Sequence, residues 1–378
     1  MPVPSLRVRR AEIAPDVEFG EDVVIEADEL EVGPGSRIGW SGPDDFRTPP
    51  GVRIKARRVV LEAGVQIGRS VRIEGGEIHL DAGVRVLRHS TIKVLDKLHI
   101  GASGTVGERC EISGRHVRIG QELWMLSDAK IGGGSAFENA SRLDAGHYLH
   151  LGTQTLVNTA RPVVIGHEVG LGTRTSIYTH GAYPSRLMGF PVAFEGVEIG
   201  DFSWVPGAII NPGVRIGRNC VIGVNSLVTS NIPDGALAAG SPAKVIREAA
   251  YPRPMSEEAR TAFFEAFLRD YAAVLGTDAQ PSVVDDGLVL ETKDAAYLVG
   301  SPRCDAGRVL AVAEAGDDQP DGWTTFDTET RRIRGAADPL ADRFANELRR
   351  YGIRFYSRGD AGRYIDWEAN PPRFAEKG

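Results

Sequence analysis

Across residues 197–247 an aliphatic side chain returns at every sixth position, at Ile210, Ile216, Ile222 and Val228, and glycine follows it at Gly217 and Gly223. A six-residue period is too long for one face of a helix and too regular for a loop. It predicts a β-solenoid. Six residues make one flat side and a bend, three sides close a triangular coil of about eighteen residues, and stacked coils pair as parallel strands roughly 4.8 Å apart. The aliphatic residue points inward and stacks on its copy in the next coil, and the glycine after it suits a corner where φ turns positive.

The same pattern starts at Ile13, Phe19 and Ile25 and breaks at 40–51, where WSGPDDFRTPPG reads as a loop thrown out of a corner. It resumes through Leu61, Ile67, Ile73, Leu80 and Val86, then Ile100, Val106, Ile112 and Ile119. The segment QELWMLSDAK reads as a second irregular piece before Ile131, and further turns follow at Leu143, Leu151, Val157, Ile165, Leu171 and Ile177. Roughly ten coils fit between 11 and 235. After Arg247 the period stops. Ser256 ahead of Glu257 and Glu258 predicts a helix start, and apolar spacing carries that helix over about 256–275. Short strand-like runs follow (SVVDDGLVLET, AAYLVG, RVLAVAEA and WTTFDTETRRIRG), then a second helix over about 338–351 and a last strand over 353–356. The expected organisation is a lead-in over 1–10, a mainly β, parallel β-helix domain over 11–248, and a small α/β domain over 256–378.

Composition adjusts this picture at a few points. A chain of 378 residues with 45 glycines matches repeated corners. The N-terminus is charged, without a signal-peptide core, and no apolar run has the length of a membrane span, so a cytoplasmic protein is expected. Three cysteines, Cys110, Cys220 and Cys304, lie far apart without metal or disulfide spacing, which fits a reducing compartment. Of the net charge of −7, residues from 251 onward carry −6, and no basic patch of the kind nucleic acid requires is present.

At residue level the segment 151–247 resembles the hexapeptide-repeat acyltransferases, closest to the maltose, galactoside and polysaccharide O-acetyltransferase branch. The resemblance rests on 157–184 (VNTARPVVIGHEVGLGTRTSIYTHGAYP), 197–204 (VEIGDFSW), 210–229 (INPGVRIGRNCVIGVNSLVT) and 240–247 (GSPAKVIR). It implies a left-handed β-helix, a homotrimer with the active site between neighbouring rods, and acetyl-CoA as co-substrate. The implied reaction is acetyl transfer to a hydroxyl or amine of a sugar in a polysaccharide, glycan precursor or sugar-containing metabolite. His180 occupies the position of the family's general base, a role that suits an imidazole because its ordinary pKa lies near neutral pH. Asn158 falls where relatives bind acceptor hydroxyls, or else is a corner residue in a side-chain ladder. The loop 181–196, with Tyr183 and Arg186, would choose the acceptor. The coenzyme would lie along Trp204, Gly207, Ala208, Val224 and Thr229, with Ser241, Lys244 and Arg247 toward its pantetheine and phosphates, and a backbone N–H near Gly207 would hold the oxyanion. The sequence departs from the family pattern twice: the stretch from Trp204 to Asn211 is one residue short, and the histidine directly follows threonine.

Two readings from other classes stand beside this one. A non-catalytic solenoid scaffold would make no use of GSPAKVIR. A γ-carbonic-anhydrase-like metalloenzyme would need a histidine five residues after His167, where Gly172 stands, so no metal is expected and His147 and His150 read as surface residues. Cys220 reads as a packed side chain in mid-repeat.

Overall fold

The computed structural model describes residues 2–40, 48–284, 287–293, 295–299, 309–314, 324–328, 331, 333–334 and 339–355. These fall into two compact units, one ending at Pro252 and one beginning at Arg253. Cys304 and most of the loop expected over 40–51 lie outside the described residues.

The first unit is the parallel β-helix that the six-residue period predicts. Eleven strands follow one another along one face, from Ser5–Ile13 to Leu227–Val228. A second face joins it edge to edge, and a third forms its own sheet from Glu18–Phe19 to Leu237–Gly240. On the third face Ile67, Val86, Val106, Met125, Leu151, Leu171 and Val205 stand in register, coil upon coil, and each is 0 % exposed. Each such burial contributes on the order of 1.5–3 kcal/mol, and the repetition sums it along the axis.

Four details differ from the sequence reading. The first strand begins at Ser5 and pairs in parallel with Val23–Val32, so most of the expected lead-in belongs to the solenoid. QELWMLSDAK is a regular side, because Leu123, Met125 and Ala129 take the inward positions. The irregular excursion lies after it, between Lys130–Ile131 and Arg142–Ala145. The coil is also longer than eighteen residues over much of its length: Arg72 pairs with Thr91 and Glu111 with Lys130, and only toward the end, as at Ile209 and Leu227, does the spacing fall to eighteen. The extra residues are accommodated in ten-residue strands such as Val71–Leu80, which run through one corner instead of breaking there.

The fourth difference concerns the corner glycines. At Gly166 and Gly217 φ is not positive; instead, a Cβ there would collide with the backbone of Asp201 and Asp234 in the next coil. The left-handed turn falls two residues later, on Glu168 (φ 52°) and Asn219 (φ 55°). The glycines are needed because coils approach closely, not because the chain turns left-handed there.

The second unit holds a helix, Glu257–Leu275, capped by the Ser256 hydroxyl accepting from the Ala259 N–H, a six-stranded antiparallel sheet and a second helix, Pro339–Arg349. Phe267, Tyr271, Tyr297, Phe326 and Phe344 form its core. The strand expected at 353–356 is not formed over 353–355; Ile353 and Phe355 pack against this core instead.

Candidate active site

Three consecutive strands of the first face, Lys130–Ile131, Leu156–Val157 and Ser176–Ile177, end at one corner of the solenoid. Their pairing sets Ile131, Val157 and Ile177 in line, so the residues that follow them stack: Gly132, then Asn158, then Tyr178 and the turn to His180. Two excursions leave this corner, residues 133–141 from one coil and 182–196 from another. The second is pinned at its base, where His180–Gly181 pairs antiparallel with Ala193–Phe194.

Asn158 is buried and its amide is fully engaged. Its Nδ2 donates to the carbonyls of Gly132 (3.3 Å) and Gly134 (3.1 Å), while its Oδ1 accepts from the Ala160 N–H (3.2 Å) and the Thr179 hydroxyl (2.6 Å). These partners fix which end of the amide is oxygen. That oxygen lies 3.0 Å from Nδ1 of His180. An amide oxygen only accepts, so Nδ1 carries the proton and Nε2 presents its lone pair.

The imidazole is half-buried and stacks on Phe194, with ring centroids 5.9 Å apart and planes 17° apart. The Arg161 guanidinium lies over the Phe194 ring, 4.9 Å from its centroid, and donates to Glu138 at 2.9 Å. Arg161, then the Ser135 hydroxyl, hold the Glu138 carboxyl below its usual range. Glu138, Arg161 and Phe194 were not singled out from the sequence. They come from two loops and a neighbouring coil, and only the coil register brings them to one corner.

Two other histidines, His147 and His167, carry the opposite tautomer. In His147 and His167, Nδ1 accepts a backbone N–H, from Gln121 (2.9 Å) and His147 (3.0 Å) respectively, which leaves the proton on Nε2. Asp201 and Asp234 continue the same ladder by accepting from the N–H groups of His167 and Arg218. His147 is therefore a buried ladder residue, not a surface one. Burial lowers both rings to about 4, with the neighbouring His167 and then Arg118 adding to His147, and Arg118 adding to His167. His150 is half-buried, its ring 5.1 Å from that of Trp124. Cys220 is fully buried and burial raises its thiol pKa, in keeping with a packing role.

The remaining expected site residues divide into two groups. Tyr183 is fully exposed and Arg186 opens a one-turn 3-10 helix, Arg186–Met188; neither side chain makes a hydrogen bond or ion pair among the described residues. Gly207 and Val224 meet at a different corner, stacked in adjacent coils by the Asn225 N–H donating to the Gly207 carbonyl. Ala208 is buried beside them, and Trp204 lies outward on the third face at 57 % exposure. The Gly207 N–H itself donates to the Thr175 hydroxyl at 3.0 Å. Ser241, Lys244 and Arg247 belong to the hairpin of Leu237–Gly240 and Ala243–Arg247 that caps the third face; all three are exposed, and neither cation forms an ion pair among the described residues. Thr229 is exposed after Leu227–Val228, at the opposite edge of the first face from Gly207.

Over 114 residues, 27 % of its length, the chain is 34 % identical to galactoside O-acetyltransferase of Escherichia coli, covering 55 % of that protein. Over 112 residues, also 27 % of its length, it is 36 % identical to galactoside O-acetyltransferase of Lactococcus lactis, covering 54 %. Among solved structures, a hexapeptide-repeat acetyltransferase of Vibrio cholerae complexed with acetyl coenzyme A is 23 % identical, with a TM-score of 0.26, over 40 % of this chain and 70 % of that one. The chain spans about half the length of the curated relatives it matches. No family model matches it.

Proposed function

On the premise that this solenoid is a relative of the hexapeptide-repeat acetyltransferases, we propose that it moves an acetyl group from acetyl-CoA to a hydroxyl or amine of a sugar, with His180 as general base. The observation that carries the reading is the Asn158–His180 contact, which places the proton on Nδ1 and leaves the Nε2 lone pair for an acceptor. Nε2 takes the proton of the acceptor group as its oxygen or nitrogen attacks the thioester carbonyl. The tetrahedral intermediate then collapses with loss of the coenzyme thiolate, which takes up a proton. Transfer is direct and needs no covalent enzyme intermediate. Asn158, its amide engaged within the protein, acts by positioning the ring, and the acceptor would be chosen by Tyr183 and Arg186 on the exposed loop.

The coenzyme would run past Trp204, Gly207, Ala208, Val224 and Thr229 to Ser241, with Lys244 and Arg247 on its phosphates. In one chain the Gly207 corner and the His180 corner are different corners of the coil, at the two ends of a first-face strand. A site that needs both is completed by a second rod, which supports a homotrimer, and a cytoplasmic setting suits the use of acetyl-CoA. No helix among the described residues is long and apolar enough to cross a membrane.

The test is calorimetric binding of acetyl-CoA to the wild type and to the Lys244→Ala, Arg247→Ala variant, with thiol release followed over a panel of sugars. Each charge-assisted phosphate bond lost costs about 1.5–3 kcal/mol, so the variant should bind at least tenfold more weakly. His180→Ala should bind the coenzyme normally and lose turnover. Absence of binding by the wild type would reject the proposal and leave the scaffold reading.

A further inference from the structure

The long strands of the N-terminal coils place a second cluster of reactive side chains on the outer surface, away from the corner that holds His180. His79 and His99 occupy the same outward position in adjacent strands, Val71–Leu80 and Thr91–Ile100, paired directly in register. Each is flanked by inward residues, Ile78 and Leu80 or Leu98 and Ile100, all essentially buried, so the rings must point out. The ring centroids are 5.1 Å apart. Directly after the inward Leu61 and Leu80, Glu62 and Asp81 turn onto the same surface.

The distances are short and converge. His79 Nε2 lies 3.1 Å from Glu62 Oε1 and 3.3 Å from Asp81 Oδ1, and His99 Nε2 lies 2.8 Å from the same Asp81 oxygen. Among the described residues, His79, Asp81 and His99 are the group of three whose ligand atoms all lie within 4.8 Å of one another. The other oxygen of Glu62 accepts the Ala82 N–H at 3.2 Å, which holds that carboxylate in place. Arg118, next after His99 along this face, is turned onward to Asp144, which its Nε reaches at 3.1 Å.

One Asp81 oxygen faces the Nε2 atoms of both rings, and the three side chains converge on a single point of the surface. Ligands about 2.0–2.2 Å from a tetrahedral zinc ion stand roughly 3.3 Å from each other, close to the separations found here. We propose that His79, His99 and Asp81 form a binding site for a divalent transition-metal ion of the zinc class, with Glu62 beside His79. Two imidazoles with carboxylates favour such an ion over calcium or magnesium, which take oxygen ligands. The ion would tie two successive coils together from outside, which gives it a structural role independent of acetyl transfer.

The test uses the full chain, freed of metal by chelator and titrated calorimetrically with zinc chloride. The wild type should bind one Zn²⁺ in a step that His180→Ala leaves unchanged and that raises the unfolding midpoint. The His79→Gln, His99→Gln variant should lose that step, and Asp81→Asn should weaken it at least roughly tenfold. All these side chains lie on the surface, so circular dichroism should show the variants folded, and Co²⁺ in place of Zn²⁺ should give the visible spectrum of a low-coordinate site in the wild type alone. Zinc binding that survives the double substitution, or no wild-type binding tighter than about 1 mM, would overturn the proposal.

Discussion

Replacing Asn158 by alanine isolates what the buried amide does for His180. In the wild type the Nδ1–H tautomer gains a hydrogen bond to Oδ1 at 3.0 Å, whereas the other tautomer sets a lone pair against an oxygen that can only accept. A net bond of about 1 kcal/mol, together with about 1 kcal/mol for avoiding an unmatched contact, favours Nδ1–H by roughly thirtyfold. Long-range proton–nitrogen spectra of histidine-labelled protein should therefore show His180 more than about nine-tenths in that form. In Asn158→Ala the preference should disappear. With about half the rings then in the productive form instead of nearly all, turnover should fall by roughly twofold from this cause, far less than the roughly 10²–10⁴ expected for loss of the base itself. Because Asn158 acts through His180, the double variant should be no slower than His180→Ala. A wild-type His180 protonated on Nε2, or a double variant clearly slower than the single histidine variant, would refute this reasoning. The substitution also leaves the Ala160 N–H and the Gly132 and Gly134 carbonyls without their partner, so stability should drop by about 2–4 kcal/mol, read from denaturant unfolding.

Other outcomes follow from the packing. His147 and His167 have folded pKa values of about 4 against about 6.5 unfolded. Between those values the unfolded chain binds more protons, so stability is full above pH ~6.5 and falls as the pH drops toward 4, by up to about 3 kcal/mol for each ring. Denaturant midpoints measured from pH 7 to pH 4 should show the decline, and His147→Asn, which keeps an acceptor for the Gln121 N–H, should reduce it. Burial pushes the Cys110 thiol up to about 11, so at pH 8 mass spectrometry should find it unalkylated in the native protein and modified only after unfolding. Gly166→Ala would drive a methyl group into the Asp201 backbone and should destabilise the solenoid by about 1–3 kcal/mol, measured by the same unfolding assay; an unchanged midpoint would mean the coils can separate there.

What the sequence determined by itself was whatever repeats. The six-residue return of Ile210, Ile216 and Ile222 is a local pattern with one geometric solution, because an inward side chain on every flat side buries itself only if the chain coils and stacks. It also located Thr179-His180 and the GSPAKVIR hairpin, whose residues are contiguous. The register between coils was not legible, since partners stand from 16 to 34 positions apart and two loops of unequal length intervene. Register alone decided that Asn158 lies beneath His180, that Glu138, Arg161 and Phe194 surround it, and that the Gly207 N–H is already bonded to Thr175. The same stacking set His79 on His99, each directly before an inward residue, Leu80 or Ile100, of its own coil. Local periodicity follows from side-chain burial along one turn, but a site belongs to the ladder between turns, and only the closed, stacked chain determines which rungs meet.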